Sequence, residues 1–262
     1  QFAFADETAR SDSRSTIDPL DIDAAEQESR VLETMIAKGD ARLEHREWVQ
    51  PARTDLPRVF YISAKHITWN DLDVTAEVIG DGTLVIREPE TGDADETVPE
   101  GPFSGPGTSR FVWSKRLDLE RMPGDRYEMS MLGDVEGLYR GLTDDDIATI
   151  TANQVDAITQ RSRNTREQQS SNPLDLQGNM EIEQLRAEGE VYLATPLRRA
   201  DAHEVDYDTR TQIATLTARP GRKVSIMTEG SPLPVKATKM VWNMDPLVDS
   251  IQLVEPSGTG VR

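Results

Sequence analysis

The chain has 262 residues, no cysteine and a formal net charge of −18, and 36% of its residues are hydrophobic. This length predicts one or two domains that bury a real core, and the lack of cysteine excludes disulfide scaffolds, thiolate metal sites and thiol catalysis. The negative charge argues against nucleic acid as a partner and against binding to anionic membrane surfaces, because both attract basic proteins.

The first sixteen residues are expected to precede the folded part of the chain. Ala3-Phe4-Ala5 fits the small-x-small pattern that signal peptidases recognise, and residues 6–16 are polar. We interpret residues 1–16 as a disordered lead-in or as the remnant of an export signal. No later apolar run approaches the roughly 18 residues of a membrane-spanning helix.

One early segment fits a helix or a strand. Asp23 to Lys38 has acidic residues early and Gly39 at its end, which is typical of a helix. Val31-Leu32 and Met35-Ile36 also suit a strand that enters Gly39. We favour the strand because helical periodicity is scarce along the whole chain.

The rest of the chain predicts short β-strands separated by turns. Ile213 to Thr217, for example, is rich in β-forming residues. Gly80-Asp81-Gly82 predicts a turn before a strand near Leu84, and Pro220-Gly221 predicts one before Val224. The fold class is therefore all-β.

Two stretches interrupt the strands and suggest two lobes. Residues 89–107 combine acidic residues with Pro and Gly, and we expect a long loop that does not pack. Residues 161–177 are polar and are interpreted as a linker or loop. The expected order is a first β lobe at 17–160, this linker, and a second β lobe at 178–262.

A short pattern, Ala-x-x-apolar-x-aromatic, recurs along the chain. It occurs as AKHITW at 64–69, AHEVDY at 202–207 and ATKMVW at 237–242, with a degenerate copy, ANQVDA, at 152–157. The apolar and aromatic positions are two residues apart and so face the same side of a strand. Asn or Asp follows each full copy, which suits a turn.

A second pattern is Gly-(Asp/Glu)-(Val/Ala), at 39–41, 133–135 and 189–191. The glycine predicts a bulge or sharp bend, after which Val135 and Val191 point inward. Ordered recurrence of both patterns indicates a structural repeat. One unit cannot bury its apolar side alone, so the units are expected to stack into a solenoid or a jelly roll.

These motifs resemble the OstA-like family of lipopolysaccharide-transport proteins, whose members include LptA, LptC and the periplasmic domain of LptD. The family repeats a unit close to G-N-V-x-L, A-D-x-I-x-Y-D and A-x-G-x-V. The matching stretches here are 189–193, 202–208 and 213–217, with further matches at 64–70, 76–80 and 237–243. Acidic residues replace the usual Asn after Gly.

The resemblance implies a folded-over β-jelly roll, β-solenoid-like, of stacked antiparallel strands around an apolar groove. It implies a periplasmic protein, free or associated with a membrane, that binds lipopolysaccharide or a related lipid. Such a protein forms a transport bridge between the inner and outer membranes. It implies end-to-end strand pairing with other Lpt-type β-jelly-roll proteins.

Twelve inward-facing positions are the candidate lipid groove under this resemblance. The alternative is that they fill an ordinary core. Because the chain is acidic, any lipid is expected to bind through its acyl chains rather than through a basic clamp on its headgroup. The candidates are Ile67, Trp69, Val78, Leu84, Ile86, Val191, Leu193, Val205, Tyr207, Leu216, Met240 and Trp242.

No catalytic, cofactor or metal motif stands out in the sequence. His45, His66 and His203 show no i, i+4 pairing, and Asp144-Asp145-Asp146 lacks the spacing of a calcium loop. Nucleophile elbows, phosphate loops and dinucleotide fingerprints are absent. We therefore expect a protein that is not an enzyme, with no cofactor.

Two rival functions remain open. A structural or carbohydrate-binding β-repeat protein of the cell surface would carry Trp69, Tyr207 and Trp242 in a row on its outside, where sugars stack on them. A β-helical polysaccharide-active enzyme would bring together carboxylates of raised pKa in a cleft. Inward-facing aromatic residues favour a lipid instead.

Overall fold

The computed structural model describes residues 2–4, 32–48, 56–70, 75–89, 102–103, 106–124, 126–143, 146–161, 180–245 and 247–254. These residues contain fifteen strands and no helix, so the predicted all-β class is confirmed. The strands are β1 (Phe2–Phe4), β2 (Leu32–Glu47), β3 (Arg58–Asn70), β4 (Thr75–Glu88), β5 (Gly107–Trp113), β6 (Arg116–Met122), β7 (Arg126–Arg140), β8 (Ile147–Arg161), β9 (Met180–Ala194), β10 (Arg198–Asp208), β11 (Ile213–Thr217), β12 (Val224–Thr228), β13 (Val235–Ala237), β14 (Lys239–Asn243) and β15 (Ser250–Val254).

The strands pair antiparallel in one sheet. The main path runs β1-β2-β3-β4-β5-β7-β8-β9-β10-β11-β14-β15. Strand β6 pairs with β4 and β7, while β12 pairs with β10 and β13. Long strands therefore have two partners in succession: the first half of β4 pairs with β6 and its second half with β5.

Every long strand crosses a common bend that divides the sheet into two half-sheets. The first half-sheet contains β1, β6, β11, β14, β15 and residues 34–38, 66–70, 75–79, 126–132, 154–161, 180–188 and 204–208. The second contains β5, β12, β13 and residues 41–47, 58–64, 82–88, 135–140, 147–152, 191–194 and 198–202. Each half-sheet buries one face. The two buried faces enclose a shared core, which is a folded-over jelly roll.

The Gly-acidic motifs build this bend. Gly133 and Asp134 have φ angles of 85° and 44°, and Gly189 and Glu190 have 81° and 55°. In β7 these two residues oppose one residue of β8, because Leu132 pairs with Gln154 and Val135 with Ala152. Such bulges bend a strand and increase its twist. The predicted bend is therefore confirmed, with Val135 and Val191 buried behind it.

The Ala motifs cross the same bend on the neighbouring strands. Ala64 is buried at the end of the second half-sheet, and Ile67 and Trp69 are buried in the first. Lys65, at the bend between them, is the single residue opposite Gly39-Asp40 of β2 and Gly80-Asp81 of β4. The strand turns from one half-sheet to the other at this residue, which explains why Ala and the apolar position are three residues apart although a strand alternates with period two. Each copy of the Ala motif therefore corresponds to the place where one strand crosses the bend.

The structure corrects two local expectations and confirms a third in part. Gly80-Asp81-Gly82 is not a turn between strands but the bend inside β4. The strand favoured over a helix before Gly39 is confirmed over 32–38, where β2 pairs with β1 and β3; residues 23–31 lie outside the described residues. In the loop 89–107, Pro102 and Phe103 are buried, so the expectation that this loop does not pack is wrong there.

The segments predicted as two lobes lie in one continuous sheet. Strand β8 pairs with β9 from Thr149–Ala194 to Arg161–Met180. Residues 162–177 of the predicted linker lie outside the described residues, and so do residues 1 and 5–16 of the predicted lead-in. Phe2–Phe4 pairs with the start of β2 as β1.

Candidate functional site: an apolar interior

The interior between the half-sheets contains all twelve residues of the predicted groove. They alternate with outward-facing residues along six strands, and every one is buried. Their burial is consistent with a groove and with an ordinary core, so their role in binding lipid stays a prediction. On the first half-sheet lie Ile67, Trp69, Val78, Val205, Tyr207, Leu216, Met240 and Trp242, and on the second lie Leu84, Ile86, Val191 and Leu193.

A pocket lies at the end of the interior formed by β2, β3, β4, β6 and the first half of β7. Both half-sheets contribute to it, and its lining is entirely aliphatic or aromatic apart from sulfur and the indole nitrogen. Its cavity volume is about 10 Å³, room for about one water molecule. The lining residues are Leu43, Phe60, Ile62, Ile67, Trp69, Ala76, Val78, Leu84, Leu117, Leu119 and Met129.

Only four predicted groove residues line this pocket, and the other eight pack elsewhere in the core. The prediction missed Phe60, Leu117, Leu119 and Met129 among the lining residues. A period-two signal was present, because Leu117-Asp118-Leu119 and Tyr127-x-Met129-x-Met131 alternate apolar and polar positions. Neither stretch carries the Ala or Gly motif, so a search guided by the repeat passed over both.

The three repeat aromatics point inward. Trp69, Tyr207 and Trp242 are each at most 3% exposed. The indole nitrogen of Trp242 donates a hydrogen bond to Oδ1 of Asp249 at 3.0 Å. These rings offer no outward row on which a sugar could stack.

A polar contact joins the half-sheets on their open side, which is the side of the strand ends opposite the bend. Arg198 begins β10 in the second half-sheet, and Asp249 precedes β15 in the first. The Arg198 Nε lies 2.8 Å from Asp249 Oδ1, and Nη2 donates to the Asp249 carbonyl oxygen at 2.7 Å. We call Arg198, Asp249 and Trp242 the clasp.

Aromatic rings close another part of the open side. Phe103 is 4% exposed and lies against Phe111 and Tyr139, with ring centroids 6.0 Å apart in both cases. Tyr139 donates a hydrogen bond from its hydroxyl to the Pro106 carbonyl oxygen at 3.0 Å. The Phe103 ring therefore covers the inner face of β5 at Phe111 and of β7 at Tyr139.

Tyr207 lies in the same interior with an unusual environment. Its hydroxyl is buried and has no hydrogen-bond partner among the described residues. Burial raises the pKa of Tyr207 well above its ordinary value, and the nearby Asp208 and Tyr139 raise it further. Tyr207 lies on the first half-sheet and Tyr139 on the second, and each is one residue from the end of its strand on the open side.

Two arginines on the outer face, Arg186 and Arg116, are paired with carboxylates. Arg186 contacts Glu188 and Glu204 at 2.6 and 2.8 Å, and these carboxylates raise its pKa. Arg116 likewise contacts Asp118 at 2.6 Å, which raises the Arg116 pKa. These pairs neutralise the cations locally, so neither arginine forms part of an unpaired basic patch.

The described residues contain no group of three or more His, Asp or Glu side chains placed to hold a metal ion. His66 lies on the outer side of β3 near Thr68, with 3.2 Å between Nε2 and Oγ1, and His203 accepts a hydrogen bond from Arg219 at 3.1 Å. Across the described ranges, no helix has the length and hydropathy to span a membrane.

Neither a protein-family model nor a curated protein sequence matches this chain. The residues and geometry above are therefore the basis for any functional conclusion.

Proposed function

We propose that this chain is a periplasmic protein that binds lipopolysaccharide through its acyl chains and forms part of a transport bridge between the inner and outer membranes. The supporting observation is the pocket between the two half-sheets. Each half-sheet contributes only apolar and aromatic side chains to its lining. The choice of lipopolysaccharide is supported by the resemblance to the OstA-like family. That resemblance rests on the Gly and Ala motifs, which are the residues at the bend.

The lining suits an acyl chain for a thermodynamic reason. Each methylene gains about 0.8 kcal/mol on leaving water, so a chain of about 14 carbons gains on the order of 11 kcal/mol. Because the side chains that line the pocket are apolar or aromatic, an acyl chain can replace water there without leaving a lining group short of a hydrogen bond. Lipid is thus shielded by burial alone, and no chemical step is needed.

The small volume of the pocket sets a requirement for binding. About 10 Å³ does not hold a hydrocarbon chain, so the half-sheets have to move apart as the chain enters. Phe60 and Leu43 are only partly buried and lie on β3 and β2. Among the described strands, these two are the last long ones at this end of the sheet. This edge is where separation disturbs the fewest neighbours.

The orientation of the aromatic residues supports lipid over glycan. Trp69, Tyr207 and Trp242 are buried between the half-sheets and present no ring to the outside. A glycan-binding surface built on the repeat aromatics would need those rings exposed. The rival carbohydrate function therefore has no support from these residues.

The terminal strands suit the proposed pairing with other β-jelly-roll proteins. Among the described residues, β15 pairs only with β14, and β13 pairs only with β12. Leu253 and Val254 on β15 and Val235 on β13 are exposed apolar residues at this end. An exposed strand edge accepts a further strand through its backbone groups.

Photo-crosslinking tests the proposed function with a matched pair of neighbouring positions. Phe60 points into the pocket, whereas Tyr61 points to the outer face of the same strand. With p-benzoylphenylalanine in place of Phe60, we expect adducts in cells that react with an antibody to lipopolysaccharide. The same group in place of Tyr61 should give few or none.

The outcome that contradicts the proposal is equally definite. Absence of lipopolysaccharide adducts from Phe60, Trp69 and Leu117 positions alike would rule out cargo binding in the pocket. Equal yields from the Phe60 and Tyr61 positions would indicate non-specific contact with lipid. A hydrolysable adduct of another acylated lipid, identified by mass spectrometry, would keep lipid binding and replace the cargo.

A further inference from the structure

The loop residue Phe103 combines burial with a backbone conformation that disfavours its side chain. Its φ angle is 64°, in the left-handed region, where a bulky residue is an outlier. The ring nevertheless lies inside the protein, against Phe111 and Tyr139. Strain of this kind persists where the surroundings hold it, and it occurs often at ligand sites.

The strands below the ring are shaped to receive an apolar group. Gly137 lies on β7 directly opposite Phe111, and a Cβ there would come within 2.8 Å of the Phe111 ring and 2.7 Å of Ile150. The missing side chain leaves room for the Phe111 ring beside Gly137, and the Phe103 ring stacks on Phe111 with centroids 6.0 Å apart. Phe103 reaches this place from a loop, whereas the other aromatic rings of the interior belong to strands.

A second, independent observation concerns polarity. Tyr207 is 3% exposed, and its hydroxyl finds no partner among the described residues. A buried hydroxyl without a partner is costly and is retained where a ligand, ion or water completes it. Tyr139, which contacts Phe103, is one residue from the end of β7, and Tyr207 is one residue from the end of β10. Both strand ends lie on the open side, so the Phe103 ring and the unpaired hydroxyl belong to the same side of the interior.

We propose that the ring of Phe103 occupies a subsite for a fatty acyl chain on Phe111 and Tyr139, that a bound chain displaces this ring, and that Tyr207 donates a hydrogen bond to the carbonyl oxygen of the acyl group. This inference rests on the proposed function and adds a second position for acyl chains, on the open side and away from the pocket at β2–β4. Phe103 keeps the subsite dry while no lipid is bound.

Binding of two fluorescent probes to the full chain tests the subsite. The first probe is cis-parinaric acid, which carries a carboxyl group, and the second is diphenylhexatriene, which has no carbonyl. Phe103→Ala removes the displaced ring, and we expect its association rate with both probes to rise about tenfold over the wild type. Leu233→Ala, at an exposed apolar residue, is the matched control and should leave the rate unchanged.

The role of Tyr207 is tested by a difference between the probes. Tyr207→Phe should lower the affinity for cis-parinaric acid about fivefold, because one hydrogen bond is lost, and leave that for diphenylhexatriene unchanged. Tyr192→Phe, on the outer face of β9, is the control for removal of a tyrosine hydroxyl. Equal losses for both probes would reject the hydrogen bond.

A reporter variant covers the case in which Phe103→Ala does not fold. In Phe103→Trp the indole fills the subsite, and we expect its emission to shift to longer wavelength when cis-parinaric acid displaces it. An unshifted emission at saturating probe, or wild-type association rates in Phe103→Ala, would overturn the subsite while lipid binding elsewhere stands. Failure of the wild type to bind either probe, together with absent adducts at Phe60, would remove the proposed function as well.

Discussion

The hydroxyl of Tyr207 is buried inside the protein without a hydrogen-bond partner among the described residues. Leaving such a group unpaired destabilises a folded protein by about 1–3 kcal/mol. Tyr207→Phe should therefore raise the free energy of unfolding at neutral pH by about 1 kcal/mol, as measured by urea denaturation. A loss of stability would mean that the hydroxyl has a partner in solution.

The same residue predicts a pH dependence. Burial raises the Tyr207 pKa in the native state, whereas tyrosine in an unfolded chain titrates near about pH 10. The native state holds this proton more tightly, so the associated stability is complete below about pH 10 and falls as the pH rises above it. Between about pH 8 and pH 11 the wild type should lose about 1 kcal/mol more than Tyr207→Phe.

Gly82 illustrates how tightly the interior is packed beside the bend. A Cβ at this position would lie 2.2 Å from the ring of Trp113, which is fully buried, and 2.9 Å from the carbonyl oxygen of Ser63. Gly82→Ala should lower the free energy of unfolding by about 1–3 kcal/mol through overpacking.

Gly39→Ala is the comparison for that variant. Gly39 also lies at the bend, but a Cβ there meets nothing within 4 Å, and its φ of 76° leaves only backbone strain of about 1 kcal/mol. Thermal and urea unfolding of both variants separate crowding from strain. A Gly82→Ala protein as stable as Gly39→Ala would mean that Trp113 can move aside.

At the scale of the strands, the clasp holds the open side together. The Arg198 and Asp249 side chains are only 14% and 24% exposed, so their charge-assisted hydrogen bonds are poorly screened. Asp249→Asn keeps an acceptor for Trp242 but removes the charge, and we expect a loss of about 2 kcal/mol in the free energy of unfolding. Hydrogen exchange should also become faster in β14 and β15.

An exposed ion pair at the bend provides the control for the clasp. Lys65 and Asp81 lie 3.0 Å apart, and Lys65 lowers the pKa of the Asp81 carboxyl, but both side chains are about two-thirds exposed. Such pairs contribute little to stability. If Asp81→Asn costs as much as Asp249→Asn, the clasp has no special role in joining the half-sheets.

The repeat motifs made the strands predictable, but they indicated the bend only in the strands that carry a Gly motif. Sequence alternation placed Ile67 and Trp69 on one face of a strand and marked Gly133 and Gly189 as bends, and both features are confirmed. The division of one strand into β5 and β6 was not predictable, because Ser114 and Lys115 carry no bend motif. Their backbone groups bond to Gly133 and Leu132 of β7, so the neighbouring strand determines that bend.

The candidate site was predictable only where it coincides with the repeat. All twelve predicted residues are buried, since alternation identifies an inner face reliably. Phe103 was missed because its neighbours are Pro, Gly and acidic residues, which indicate a loop, and nothing local reveals that a loop residue returns to the core. The pocket was missed in part because its lining depends on which half-sheets face each other.

At the scale of the whole molecule, the exposed residues of β15 indicate that copies of the protein associate with one another. Leu253 is paired with Met240 on β14 and is 49% exposed, although Met240 is fully buried. Both point to the inner face, so Leu253 marks the uncovered end of the interior. Leu253→Glu should weaken self-association at high protein concentration, as measured by sedimentation equilibrium.

A matched change separates that effect from general loss of hydrophobicity. Leu233→Glu alters an exposed leucine in the connection between β12 and β13 and should leave the association unchanged. A wild-type protein that stays monomeric at every concentration would contradict self-association through β15. Pairing with a different jelly-roll protein would then need its own measurement.

Each of β2, β4, β7 and β9 carries a Gly-acidic pair at its bend, and this pair opposes one residue of the neighbouring long strand. The width of the molecule is therefore fixed strand by strand, whereas its length depends only on how many strands are present. Duplicating a pair such as β7 and β8 would lengthen the protein by about 10 Å and leave its cross-section the same. Evolution can in this way adjust the length of such a protein by copying hairpins, without changing the interior between the two half-sheets.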